Sequence, residues 1–192
     1  MTGKEIQKLF GRLARLVEAT QQKSGDGTAW DYTFPNGETR RYIFRNIKSP
    51  EKIEDSVYSL LIWIWIAKDY LKLLAETKGR NPNQTERVCS DDPHLNVCAD
   101  LANRIKHGRL NRSRSGKFAK LGEVRFTVPQ SAVRSITFRV FEVEVDIAQA
   151  SGVEFQIPII DAAGKEIGDA FEYASAAISR LESLRDGTEL AK

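Results

Sequence analysis

The sequence predicts a mainly α protein: a four-helix bundle with an N-terminal β-hairpin and a small antiparallel β insertion before the last helix, α+β in class. Three observations carry that reading. Apolar residues recur at helical spacing in four stretches. Trp30, Tyr32 and Phe34 alternate with polar residues just ahead of an Asn36-Gly37 turn. Much of the chain between about 122 and 160 alternates with a period of two. A length of 192 residues suggests one domain, 1–192, and a hydrophobic content of 41% is enough for a core.

The first helix is expected at 4–20, where Ile6, Leu9, Phe10, Leu13, Leu16 and Val17 make one apolar stripe. A polar loop leads to the hairpin at 29–44. Its aromatics could stack on bases, but such a face more commonly packs on a neighbouring helix. Ser49-Pro50-Glu51 starts a second helix running to about Lys78, with Gly79 as its C-cap. Ile62, Trp63, Trp65 and Ile66 make the middle of this helix apolar all round. It must therefore be covered on every side, by the bundle or by a subunit interface anchored on Trp63 and Trp65. The interface is the favoured reading.

Gly79 to Asn83 reads as a turn-rich linker. Ser90-Asp91-Asp92-Pro93 caps a third helix at about 92–107, with His94 on its apolar side as a buried structural residue. Within the insertion, the alternation changes parity between Val140 and Phe141, which calls for a bulge or two shorter strands. Val153, Phe155, Ile157 and Ile159 complete the small sheet. The last helix is expected at about 168–185, on Ala170, Phe171, Ala174, Ala177, Ile178, Leu181 and Leu184.

The net charge of +3 is mild, but its distribution is uneven. Seven basic residues and no acidic one lie between Arg104 and Lys120, whereas only Lys165 is positive between Glu142 and Glu172. Arg109, Arg112, Arg114, Lys117 and Lys120 fall in a polar loop suited to a phosphate backbone. Cys89, His94, Cys98 and His107 lie within 19 residues, but the spacing fits no common zinc pattern and Cys98 and His107 fall on opposite helix faces. No metal and no cofactor is expected. Two thiols and no apolar leader point to a reduced, cytoplasmic protein. The apolar run from Leu60 to Ala67 is too short to span a membrane.

The candidate chemistry lies on the third helix. At about 100° per residue, Asn96, Asp100, Asn103, Arg104 and His107 share one arc. An imidazole beside an amide and a cation can transfer protons on a phosphate ester. In that reading His107 transfers the proton, Asn103 orients the phosphate and Arg104 or Lys106 stabilises its developing charge. Asp100 orients the imidazole. The plainer reading is a solvated helix face ending at the Gly108 C-cap, where the helix dipole favours His107.

Ala102-Asn103-Arg104-Ile105-Lys106-His107-Gly108, near the end of the third helix of a bundle, resembles the signature of the HEPN superfamily. Asn103 and His107 match that pattern, and Ala102 stands where its arginine belongs. The resemblance implies a helical domain of a prokaryotic defence or toxin–antitoxin system. It also implies a homodimer, and metal-independent RNA cleavage through the 2′-hydroxyl. The form Asp-x-x-Asn-x-x-Lys-His also looks like that of bundle proteins of bacteria and phage. Ala102 motivates the other reading, a non-catalytic bundle that binds RNA or a protein partner.

Overall fold

The computed structural model describes residues 2–187. Among them, five α-helices and nine strands in three sheets make an α+β protein, not a four-helix bundle. In chain order, helix α1 is Gly3–Gln21, strands β1 and β2 are Thr28–Thr33 and Thr39–Arg45, and α2 is Pro50–Thr77. Helices α3 and α4 follow at Pro82–Asp91 and Pro93–His107. Strands β3 to β9 are Lys120–Leu121, Arg125–Thr127, Val133–Arg139, Glu142–Ile147, Glu154–Gln156, Pro158–Ile160 and Glu166–Asp169. Helix α5, Ala170–Asp186, comes last.

Two features overturn the bundle. The first is α3, which occupies ground expected to be linker and connection. Its start is chemically ordinary: the Asn81 side chain accepts from the Asn83 N–H at 2.9 Å, and Pro82 sits in the first turn. The second is the strands, which do not close on themselves as one insertion. β5 and β6 form a hairpin that joins the β1–β2 hairpin through a parallel β2–β6 pairing, giving the order β1-β2-β6-β5. β3, β8 and β9 form a second sheet, and β4 and β7 a third. Period-two alternation marks a strand but carries no information about its partner.

The chain divides into two compact units. The first contains the described residues up to 19, then 56–123 and those from 157 onward. Leu13, Leu61, Ile64, Leu95, Leu101, Ile157, Ile159 and Leu181 are among its fully buried side chains. Asp169 caps α5, accepting from the Phe171 N–H, and its second oxygen accepts from the Ile157 N–H, both at 2.8 Å. One carboxylate therefore ties the start of the helix to the strand region before it.

The second unit comprises 20–55 and 124–156. Its core is Ile47, Ala132, Val145, Ile147, Ala150 and Val153, flanked by Phe44, Phe126 and Phe155. The hairpin aromatics pack here on strands, not on a helix. Trp30 stacks on Tyr42 and Phe44 at 5.7 and 5.4 Å between ring centroids and meets the edge of Phe126. The opposite face carries ion pairs joining Arg45 to Glu144, Arg139 to Glu142 and Arg134 to Asp146. The parity change at Val140-Phe141 is a chain reversal: these two residues form the turn between β5 and β6, and both are exposed.

Candidate functional site

Helix α4 is defined at both ends by its own sequence. The Asp92 carboxylate accepts from the Leu95 N–H at 2.8 Å, Pro93 opens the first turn, and Gly108 closes the helix in the left-handed conformation at φ 70°. Arg104, Lys106 and His107 occupy the last turn, where the helix dipole favours cations.

The polar arc of α4 does not face solvent as a whole. Asp100 is fully buried. Its carboxylate receives the Ser113 hydroxyl at 2.5 Å, the Ser115 hydroxyl at 2.6 Å and the Arg114 N–H at 2.7 Å. The Ser115 N–H adds a fourth bond at 3.3 Å. Asp100 is thus the anchor of the 113–115 loop, and among the described residues none of its hydrogen bonds goes to His107. Its expected part in orienting the imidazole is corrected: a charged group inside a protein needs several donors, and the returning loop supplies them.

Arg104 is committed as well. Its Nε donates to the Ala119 carbonyl at 3.0 Å and an Nη to the Phe118 carbonyl at 3.1 Å. Phe118 has φ 51°, a left-handed conformation that costs a non-glycine residue energy. The guanidinium holds that turn in place, so it is not a free cation for a phosphate. Ala102, where the HEPN pattern has arginine, is fully buried and packs with Ala99 under Trp65. A longer side chain there would overpack against these neighbours.

Trp65 is 8% exposed. The Lys68 ammonium and Arg114 guanidinium lie 4.4 and 4.6 Å from its ring centroid. The chain itself therefore covers Trp65, which corrects its expected place as an interface anchor. Trp63, two residues earlier and turned about 200° round the helix, is only half-buried and carries the Arg12 guanidinium over its ring at 4.0 Å.

Beneath the loop, Glu86 of α3 collects three cations: Lys68 at 2.9 Å, Lys72 at 3.0 Å and Arg114 at 3.2 Å. Burial pushes its carboxyl up, but the hydrogen bonds and charges of Lys68 and Lys72 outweigh that and bring it down to about 2. Sequence reasoning missed this cluster because Glu86 falls in the helix it did not find. The Asn81-Pro82 start was the available signal.

The remaining candidates stay uncommitted. Asn103 is half-buried, and Lys106, His107, Arg109, Arg112, Lys117 and Lys120 are exposed. Their side chains make no hydrogen bond or ion pair among the described residues. Asn103 and His107 lie one turn apart on α4. His94 is not the buried residue expected; its side chain is 43% exposed, with the ring against Tyr173 at 5.0 Å. Cys89 and Cys98 are buried free thiols, and burial pushes each up to about 12, so neither is a ready nucleophile. Among the described residues, no three His, Cys, Asp or Glu side chains cluster as metal ligands, and no helix is long and apolar enough to cross a membrane.

Compared with known protein families, with curated proteins and with solved structures, the chain matches none.

Proposed function

We propose that the protein binds RNA at the end of α4 and along the loop from Arg109 to Lys120, as a cytoplasmic, HEPN-like component of a prokaryotic or phage defence system. One observation supports this above the rest. Lys106, Arg109, Arg112, Lys117 and Lys120 are exposed and unpaired among the described residues, next to a loop fastened from below by Asp100. A fixed loop presents its cations without first having to be ordered, which lowers the entropic cost of binding a polyanion.

Cleavage is the second reading, favoured by the free state of Asn103 and His107. It assigns proton transfer to His107, phosphate orientation to Asn103 and charge stabilisation to Lys106, since Arg104 is tied to two carbonyls. A homodimer would bring a second His107 to the reaction, as the resemblance implies. Binding to a protein partner is the alternative to both readings.

Retention on an RNA column at low and high salt tests the binding. Five phosphate contacts predict a slope of log affinity against log salt of about −3.5. Retention by wild type and by an Arg109→Ala/Arg112→Ala variant that is equal at every salt concentration would overturn it. Incubation with mixed RNA in EDTA, read on a denaturing gel, separates the two readings. Cleavage by wild type but not by His107→Ala supports catalysis, and intact RNA with both supports binding alone.

A further inference from the structure

A second basic region lies within the first unit, in a groove between α1 and α2. Lys4, Lys8, Arg12 and Arg15 recur at intervals of four, four and three along α1, so they fall within one arc of about 80°. All four are exposed, and none forms an ion pair among the described residues. On the opposite wall, Trp63 and Tyr70 are seven residues apart, two turns of α2, and so present their rings on one face about 10 Å apart along the axis. The space between the walls measures about 710 Å³.

Three details make this more than a solvated helix face. Glu5 is the one carboxylate lining the groove among the described residues, and it is turned back on the helix start, where it accepts from the Thr2 N–H at 2.6 Å and the Thr2 hydroxyl at 3.0 Å. The Arg12 guanidinium stacks on Trp63 with its N–H edge uncommitted, an arrangement that lets one arginine hold a ring and a phosphate together. Gly11 sits in mid-helix on the groove wall, where glycine costs about 1 kcal/mol relative to alanine. Packing does not require it: an added Cβ would meet only the far end of Arg15, at 3.6 Å.

We infer that this groove binds a single strand of nucleic acid, its phosphates along Lys4, Lys8, Arg12 and Arg15 and its bases against Trp63 and Tyr70. Cations spaced about 6 Å apart along one wall and aromatic rings along the other are what a flexible polyanion with planar side groups requires. The inference deepens the RNA-binding proposal and rests on it in assigning RNA as the strand.

The experiment is fluorescence anisotropy of a labelled 12-nucleotide oligouridylate titrated with wild type, Lys8→Ala/Arg15→Ala, Arg109→Ala/Arg112→Ala and Gly11→Gln. Lys8→Ala/Arg15→Ala is expected to weaken binding about tenfold and to reduce the salt slope by about 1.4. Its melting temperature should stay at the wild-type value, because exposed, unpaired side chains add little stability. Gly11→Gln is expected to raise the melting temperature while weakening binding. Wild-type affinity in both groove variants, with a loss in the loop variant, would overturn the groove and leave the loop reading standing. A loss in the groove variants with none in the loop variant would do the reverse. Absence of binding by wild type would remove both. Competition by UMP equal to that by the unlabelled strand would overturn the assignment to a strand.

Discussion

Helix α4 carries two kinds of polar residue on one arc. Asp100 and Arg104 are built into the structure, one beneath the 113–115 loop and the other behind the Phe118 turn. Asn103 and His107, on the same arc, are bound to nothing in the described chain. Helical spacing made these four residues equivalent, and the returning loop divided them. Trp65 and Trp63 repeat the lesson on α2, the first roofed by Lys68 and Arg114, the second open beside Arg12. A residue type suited to chemistry is available for it only when the fold has not already used it.

The largest effect should come from forcing a charge into the committed side. Ala102→Arg, which restores the residue of the HEPN pattern, should cost about 4 kcal/mol or more. It combines overpacking beneath Trp65 with a buried, unpaired cation. Urea unfolding measures this, and near wild-type stability would show that the position is more open than its burial implies. Asp100→Ala should follow at about 3 kcal/mol, because it strips two hydroxyls and two N–H groups of their acceptor. Faster proteolysis between Arg109 and Lys120 would accompany the loss, and an unchanged protease pattern would refute the anchoring role.

Acid should loosen the same side. The Glu86 carboxyl lies below its ordinary value of 4.5, at about 2, so the folded state binds that proton less readily than the unfolded chain. Its contribution is complete above about pH 4.5 and is lost as pH falls toward 2. Glu86→Gln should flatten the melting temperature over that window relative to wild type, and identical acid profiles would count against the cluster. The smallest effect belongs to the uncommitted side: His107→Ala should change stability by no more than about 0.5 kcal/mol. A larger loss would mean that His107 has a structural partner and would erase the contrast within α4.

Local chemistry was legible where the signal was local. The caps at Asp92 and Gly108 and the parity change at Val140 are written in adjacent residues, and the hairpin turn at Asn36-Gly37 is too, with Gly37 at φ 84°. The Asn81-Pro82 helix start is equally local, but it lies inside Gly79 to Asn83, whose turn-forming composition reads as a linker. The sequence also located the basic run from Arg104 to Lys120 and the Asn103–His107 spacing, since a helix fixes which residues neighbour one another.

Pairing over distance was another matter. That β2 lies beside β6, across about a hundred residues, follows from no pattern within either strand. Tertiary structure alone decided that Asp100 faces the serines of a loop, that Arg104 serves two carbonyls and that Ala102 packs under Trp65. The physical reason is burial. A charge on a helix wheel has no fixed meaning until another segment covers it, and the segment that covers Asp100 and Arg104 is the basic loop that follows the helix.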